Sequence, residues 1–274
     1  MLWSDRIAFV IAVVFYGMSA AHSIFLYRRG FREHNQINYL LLSGAFTFHT
    51  IAMFWRGLAQ HRCPINNIYE TTTFVVWTIV ALYLIIGLWS RLRFLGAFAA
   101  PVLFGIGVFA LMPSLDPVVR EKPIYAGGLA SLHAALILLS YGAFGLSSVA
   151  GLMYLCQEYD LKHRKLRAVS SLMPPIQRLE IVIGRSLICG FVLLTVGLAV
   201  GAFGLHAPSG SSYWQDPKVH WSAFVWLLYL AQLVMHWGFA QRGRRFAWGA
   251  VGSFAFVILT FWGFSLLSGI HNPS

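Results

Sequence analysis

Residues 186–205 read SLICGFVLLTVGLAVGAFGL, twenty positions from Ser186 to Leu205 without one charged side chain. A bilayer hydrocarbon core of about 30 Å is crossed by about 20 apolar residues wound as a helix, which pairs all its backbone polar groups internally. The stretch therefore reads as a transmembrane helix. Seven more follow the same pattern: Ile7 to Tyr27, Tyr39 to Gly57, Thr71 to Trp89, Phe94 to Leu111, Leu129 to Leu155, Trp221 to Phe239 and Phe246 to Leu267. Composition agrees, with 58% hydrophobic and 11% charged residues and a mean hydropathy of +0.68, too little polar surface to clothe a water-soluble globule of this length. The fold class expected is an all-α polytopic transmembrane bundle of about eight helices, one integral membrane domain over residues 1–274. The first stretch lacks a basic leader and a small-residue cleavage site, so it reads as a retained helix.

Lysine and arginine set the orientation. One alternate set of loops holds Arg28, Arg29 and Arg32, then Arg91 and Arg93, then Lys162, Arg164, Lys165, Arg167, Arg178 and Arg185, then Arg242, Arg244 and Arg245, which is 14 of the 20 basic residues. These loops are expected on the cytoplasmic side, with both termini on the outer, periplasmic or extracytoplasmic, side of a bacterial inner membrane. The formal net charge of +11 is dispersed through short inner loops, which argues for contact with the lipid bilayer and against nucleic acid. Cys63, Cys156 and Cys189 include no Cys-x-x-Cys pair, so no disulfide framework or thiol relay is readable.

Histidines at membrane depth need a reason, because ionisable groups there face a bundle interior or a cavity. Of the ten, His34 and His163 lie in basic loops. His49 falls near the middle of the second helix, and His22 and His236 toward inner helix ends, so these three are expected in the inner half of the bilayer. His133, at the start of the fifth helix, His271, after the eighth, and His61, His206 and His220 in loops are expected at the outer face. Each imidazole is either a neutral group hydrogen-bonded between helices or an axial ligand of haem iron, which takes two such ligands on opposite faces of a flat ring. Zinc is disfavoured by the absence of close His or Cys pairs, and a proton relay by the scarcity of carboxylates in the helix cores.

The loop from Ser209 to Trp221 gathers Tyr213, Trp214, Asp216, Pro217, Lys218 and Trp221, with Trp226 beyond. Aromatic side chains at an interface are ordinarily belt anchors, but such a cluster also makes a shelf for a flat apolar ring, with Lys218 available to a carboxylate. Upstream, Pro64-Ile65-Asn66-Asn67-Ile68-Tyr69-Glu70 leads into the third helix, where Asn67 is placed to cap and Glu70 to face the positive end of the dipole. Met173 to Glu180 reads as a short amphipathic docking stretch before the sixth helix.

Pro64 with Asn67-x-Tyr69-Glu70 and Trp77, His133 with Ser140-Tyr141, Pro174-Pro175-Ile176 ending at Glu180, Asp216-Pro217-Lys218 with Trp221 and Trp226, and His236 before Arg242-Gly243-Arg244-Arg245 together resemble the cytochrome c assembly family, especially its eight-helix HemX-type branch of the CcsA and ResC group. The resemblance implies outer histidines, matched by His133 and His271, that flank a tryptophan-rich loop and present haem b to an apocytochrome c. It further implies membrane histidines matched by His236 and His49, and haem contacts at Tyr69, Glu70, Trp214, Asp216, Pro217, Lys218 and Trp221. A CcsB- or ResB-like membrane partner would complete the attachment reaction, in which this chain presents haem and forms no covalent intermediate. Gln215 and Val219 depart from the Trp and Glu usual beside Asp-Pro-Lys. The alternative the resemblance leaves open is a HemX-like membrane regulator of tetrapyrrole synthesis or of another membrane protein, without haem export. A generic small-solute transporter would show inverted repeats, and none is visible.

Overall fold

A computed structural model describes residues 2–29, 35–60, 64–65, 67–112, 115–116, 128–163, 173–204 and 216–267. Among the described residues eight long helices make up the bundle: α1 Leu2–Arg28, α2 Gln36–Gln60, α3 Ile68–Ile86, α4 Leu95–Ala110, α5 Gly128–Lys162, α6 Ile176–Gly204, α7 Pro217–Trp237 and α8 Arg244–Leu267, with a 3₁₀ turn at Ser90–Phe94 running into α4. Seven of them meet the length and hydropathy needed to cross a bilayer, and α8, at 24 residues, has spanning length.

Two helices are longer than hydropathy alone indicates. α5 continues to Lys162, seven residues past the expected end at Leu155, and α6 begins at Ile176, ten residues before Ser186. Residues 173–175 of the expected docking stretch precede α6, and residues 176–180 are its first turn. Its apolar side chains Leu179 and Ile183 are fully buried, so the charged residues Arg178 and Glu180 ride on a helix already anchored by its other face.

Cross-helix contacts fix the directions. Arg56 meets Asp5 and Asn38 meets Ser23, so α1 and α2 are antiparallel. Trp226 meets Thr195 and Trp221 meets Thr260, giving the same relation to α6–α7 and α7–α8. Helices α1–α4 pack as one group and α5–α8 as a second, with α5 joining them through α3 and α4. The joint is tight because α5 is built of small residues, Ser140, Gly142, Gly145, Ser147 and Gly151. A methyl group on Gly145 would come within 2.6 Å of Ile79, so α3 approaches at a distance only glycine allows.

Alternation places the turns after α1, α3, α5 and α7 at one end. These carry Arg28, Arg29, Arg93, Lys162 and Arg242, and we call it the basic end and its opposite the far end. His236 belongs to the basic end, and the α1–α2 register set by Asp5–Arg56 and Ser23–Asn38 puts His49, near the middle of α2, opposite Ala12 of α1.

Candidate functional site

Three histidines are held on different helices and by different partners. His133, near the start of α5, lies against α6, where its Nδ1 meets the Gly197 carbonyl oxygen at 2.7 Å. A Cβ on Gly201 would stand 2.6 Å from the imidazole Cε1, so this glycine supplies the niche in which the ring rests. His236, at the end of α7, has its Nδ1 2.9 Å from the Gln241 carbonyl oxygen in the α7–α8 turn, and its ring stacks on Phe246 at 3.9 Å. Its Nε2 faces Gly184 of α6, where a Cβ would be 3.7 Å away. His49 is fully buried; its Nδ1 pairs with the Tyr16 hydroxyl at 3.1 Å, its ring lies 4.8 Å from that of Phe9, and it shares a cavity of about 10 Å³ with Thr73 of α3.

When Nδ1 is committed to an oxygen, Nε2 becomes the nitrogen available for coordination, and the ring is fixed in orientation. His133 and His236 both have this arrangement through carbonyls outside their own helices. His163 and His220 also engage carbonyls, but those of their own helices four residues back, a local bond any helical histidine can make. Gly184 and Gly201 are 17 residues apart on α6, about 25 Å at 1.5 Å per residue. His133 and His236 therefore belong to two sites at opposite ends of the bundle.

The residues around Asp216-Pro217-Lys218 divide by role. Asp216 caps α7, accepting from the Lys218 backbone N–H at 2.8 Å, and Pro217 takes the first helical position, where a missing N–H is harmless. The Lys218 ammonium lies 5.5 Å from the Phe261 ring centre. Trp221 is buried between Tyr141 and Phe261, whereas Trp226 faces Phe191 and Thr195 of α6. Five residues on a helix turn through about 500°, so these two indoles leave α7 roughly 140° apart. The described part of the expected shelf is thus split between two helix interfaces. Trp214 and Tyr213, like His271, His61 and His206, lie outside the described residues.

A cluster that sequence reading missed lies at the far end of α1–α4. Arg56, 6% exposed, donates from Nε to Glu70 at 2.9 Å, from Nη1 to Asp5 and Asp116 at 3.1 Å each, and from Nη2 to Asp116. Arg6 and Asn67 also reach Asp116, at 3.1 and 2.8 Å, and the Arg56 guanidinium sits 4.8 Å from the Tyr69 ring centre. Asn67 caps α3 through Glu70 N as expected, but the Glu70 carboxylate, 0% exposed, serves Arg56 as well as the helix dipole. Tyr69 and Glu70 are therefore tied into an ionic knot joining α1, α2, α3 and the segment after α4. The signal available was Arg56 itself, one turn inside a helix end and 14 residues before Glu70.

Glu180 acts at the basic end. Its Oε1 accepts from Gly243 N at 3.4 Å, in a turn where Gly243 has φ +69° and a Cβ would be 3.2 Å from the Tyr154 hydroxyl. Glu180 and Gly184 lie one turn apart on α6, so the same face braces the α7–α8 turn and receives His236. Among the described residues no three His, Cys, Asp or Glu side chains are placed to hold one metal ion.

Fold and site together define a multi-pass membrane protein with imidazoles braced at both ends of its helix bundle. Residues 65–271 match the sequence model of the family described as cytochrome C assembly protein, and the chain belongs to that family. It is 27% identical to the cytochrome c biogenesis protein CcsA of Prochlorococcus marinus subsp. pastoris, over 82% of this chain and 79% of that one. It is 26% identical to protein HemX of Bacillus subtilis, over 92% and 93%, and 24% identical to CcsA of Gloeobacter violaceus, over 79% and 80%. These relatives and the apolar helices identify a multi-pass bacterial membrane protein.

Proposed function

We propose that this chain takes up haem b at the basic end of the bundle and presents it at the far end for covalent attachment to an apocytochrome c, as cargo and not as a resident cofactor. The observation that carries the reading is the matched bracing of His133 and His236, each with Nδ1 on a carbonyl and Nε2 available, at opposite ends of α6. By the positive-inside rule the basic end is cytoplasmic and both termini are extracytoplasmic. His236 is the receiving ligand and His133, with His271, the presenting pair, with Lys218 at the same end of the bundle for a propionate. Trp214, Trp221, Asp216 and Pro217 shape the presenting side, Asp216 and Pro217 by starting α7 at the right place. Haem supplies the vinyl groups that the acceptor's cysteines attack, and this chain's residues orient it and set its redox poise. A CcsB- or ResB-like membrane protein is the partner for that step.

A second reading, a HemX-like regulator of tetrapyrrole synthesis or of another membrane protein, is favoured by length, since HemX of Bacillus subtilis matches over 93% of its own sequence and the cyanobacterial CcsA proteins over about 80% of theirs. Purification from a haem-replete host, with oxidised and reduced spectra of the wild type and of His133→Ala, His271→Ala, His49→Ala and His236→Ala, tests haem binding. Failure of the folded wild type to hold or take up haem overturns both export and presentation. Staining of a deletion strain for covalent haem separates the two readings: presentation predicts loss of c-type cytochromes, regulation predicts that they persist.

A further inference from the structure

One set of contacts occurs twice, first in α1–α4 and again in α5–α8, at constant spacing along the chain. On α2, Thr50 donates to the Phe46 carbonyl oxygen at 2.7 Å and accepts from the Trp77 indole of α3 at 2.9 Å, while the Phe46 and Trp77 rings lie 5.5 Å apart. On α6, Thr195 donates to the Phe191 carbonyl oxygen at 2.8 Å and accepts from Trp226 of α7 at 2.9 Å, with the Phe191 and Trp226 rings 5.3 Å apart. Phe46 and Thr50 lie 145 residues before Phe191 and Thr195, and Trp77 lies 149 before Trp226. The α3 cap Asn67 also lies 149 before the α7 cap Asp216. The step of 145 pairs Asn35 with Glu180, each bracing the turn after the third helix of its group, through Arg93 O at 2.7 Å and Gly243 N at 3.4 Å. It pairs Asn38 with Ile183, each meeting a serine of the preceding helix, Ser23 and Ser147, at 2.9 and 3.1 Å. Packing order recurs too: α1 lies against α2 and α4 as α5 does against α6 and α8, and α3 against α2 and α4 as α7 does against α6 and α8. An up-and-down bundle repeats its neighbours by geometry alone, but constant residue offsets need a further cause.

We infer that the chain is two same-direction copies of one four-helix unit, and that the second copy keeps two ligand niches open which the first fills with its own side chains. By the spacings above, Gly184 corresponds to Tyr39 and His236 to Gly87. In the second unit the His236 imidazole faces the room left by Gly184; in the first, the Tyr39 ring takes that room, and a Cβ on Gly87 would come within 2.7 Å of it. The Tyr39 hydroxyl donates to Leu84 O at 3.1 Å, which anchors the ring there. At the other end Gly201 corresponds to Arg56, and the step of 124 residues from Ser23 to Ser147 puts Phe9 in the place of His133. The ionic knot around Arg56 therefore stands where the second unit holds an imidazole. Phenylalanine has no ligating atom and the Tyr39 oxygen is engaged, whereas an imidazole with Nδ1 held can offer Nε2 to a metal. Ligand binding then belongs to α5–α8, and α1–α4 serve as a brace that grips α5 through α3 and α4. Same-direction repeats are one of the ways membrane transporters are built. That the ligand is haem rests on the function proposed above; the duplication does not.

Melting of the full chain in phosphatidylcholine nanodiscs tests the duplication without haem. Gly184→Tyr sets a ring against His236 and is expected to lower the melting temperature by about 2–12 °C. Adding His236→Gly reproduces the pairing of Tyr39 with Gly87 and is expected to recover most of that loss, with His236→Gly alone completing the cycle. Additive losses overturn the equivalence of the two units. Titration with haemin, followed by its Soret band against empty nanodiscs, then reads which unit binds. Gly184→Tyr/His236→Gly combined with His133→Phe and His271→Ala closes the second unit and is expected to weaken haem binding at least tenfold. Wild-type binding by that variant would put a site in α1–α4 and overturn the assignment of the open niches to α5–α8. No binding by the wild type overturns the haem reading and leaves the duplication to stand on the melting cycle.

Discussion

Replacing Arg56 by methionine keeps the bulk and apolar stem of the side chain but removes the charge on which three carboxylates converge. Arg6, Arg56, Asp5, Glu70 and Asp116 carry two positive and three negative formal charges; the variant leaves one against three. Arg56 is 6% exposed and Glu70 0%, so water does not replace the lost partner, and removing one member of such a buried pair costs about 3–5 kcal/mol. At about 2–4 °C per kcal/mol for a chain of this size, the melting temperature should fall by about 6–20 °C. Intrinsic-fluorescence melting of detergent-purified protein measures it. The control is Arg56→Met with Asp5→Asn and Glu70→Gln, which leaves Arg6 paired with Asp116 and no uncompensated charge; it should recover most of the loss, because a neutral replacement of a buried ionic group approaches the stability of the ionic original. A melting temperature within 2 °C of wild type for Arg56→Met would mean that the knot is hydrated and open, and a neutral triple variant as unstable as the single would mean that side-chain packing, not charge, holds these helices.

The histidine niches can be probed through the glycines that make them. Gly201→Leu should displace the His133 ring and lower stability by about 1–3 kcal/mol, with loss of the haem bound at that end and retention of the other; a haem content equal to wild type would refute the niche. Gly184→Ala, whose Cβ would meet only His236 Nε2 at an ordinary 3.7 Å, should fold normally, whereas Gly184→Leu should fold and lose the His236 site, read as a drop in haem retained through purification. Asp216→Ala removes the α7 cap and should cost about 1 kcal/mol, visible as a lower melting midpoint with unchanged helical circular dichroism. Alkaline phosphatase fused after Ser274 should be active and a fluorescent-protein fusion dark if the C-terminus is extracytoplasmic; the opposite pattern would invert the proposed topology.

The eight-helix fold was legible because hydropathy reports the one constraint that dominates in lipid, the need for about 20 apolar residues per crossing. Boundaries erred where that constraint ends. The charged residues Glu158 and Lys162 in α5, and Arg178 and Glu180 in α6, look like loop by hydropathy, yet both helices run on through them because Gln157 and Asp160, Leu179 and Ile183 are buried against neighbouring helices. The capping roles of Asn67, Asp216 and Pro217 were readable for the opposite reason: they are local, set by residues within one turn.

What the sequence withheld is the pairing between helices. Arg56 and Glu70 are 14 residues apart and Asp5 and Asp116 are 111 apart, and no periodicity announces that one guanidinium will bridge them. Counting charged residues as markers of loops hid the knot, because a group counted toward topology cannot also be seen as a core residue. The same contacts set α1 and α2 against each other: the Arg56–Asp5 and Asn38–Ser23 pairs put His49 level with Ala12 and bring its Nδ1 to the Tyr16 hydroxyl, a meeting that position along α2 alone does not announce. By locking the far ends of α1, α2 and α3 together the knot holds that register, so a charge buried on one helix settles which side chain of another the imidazole meets.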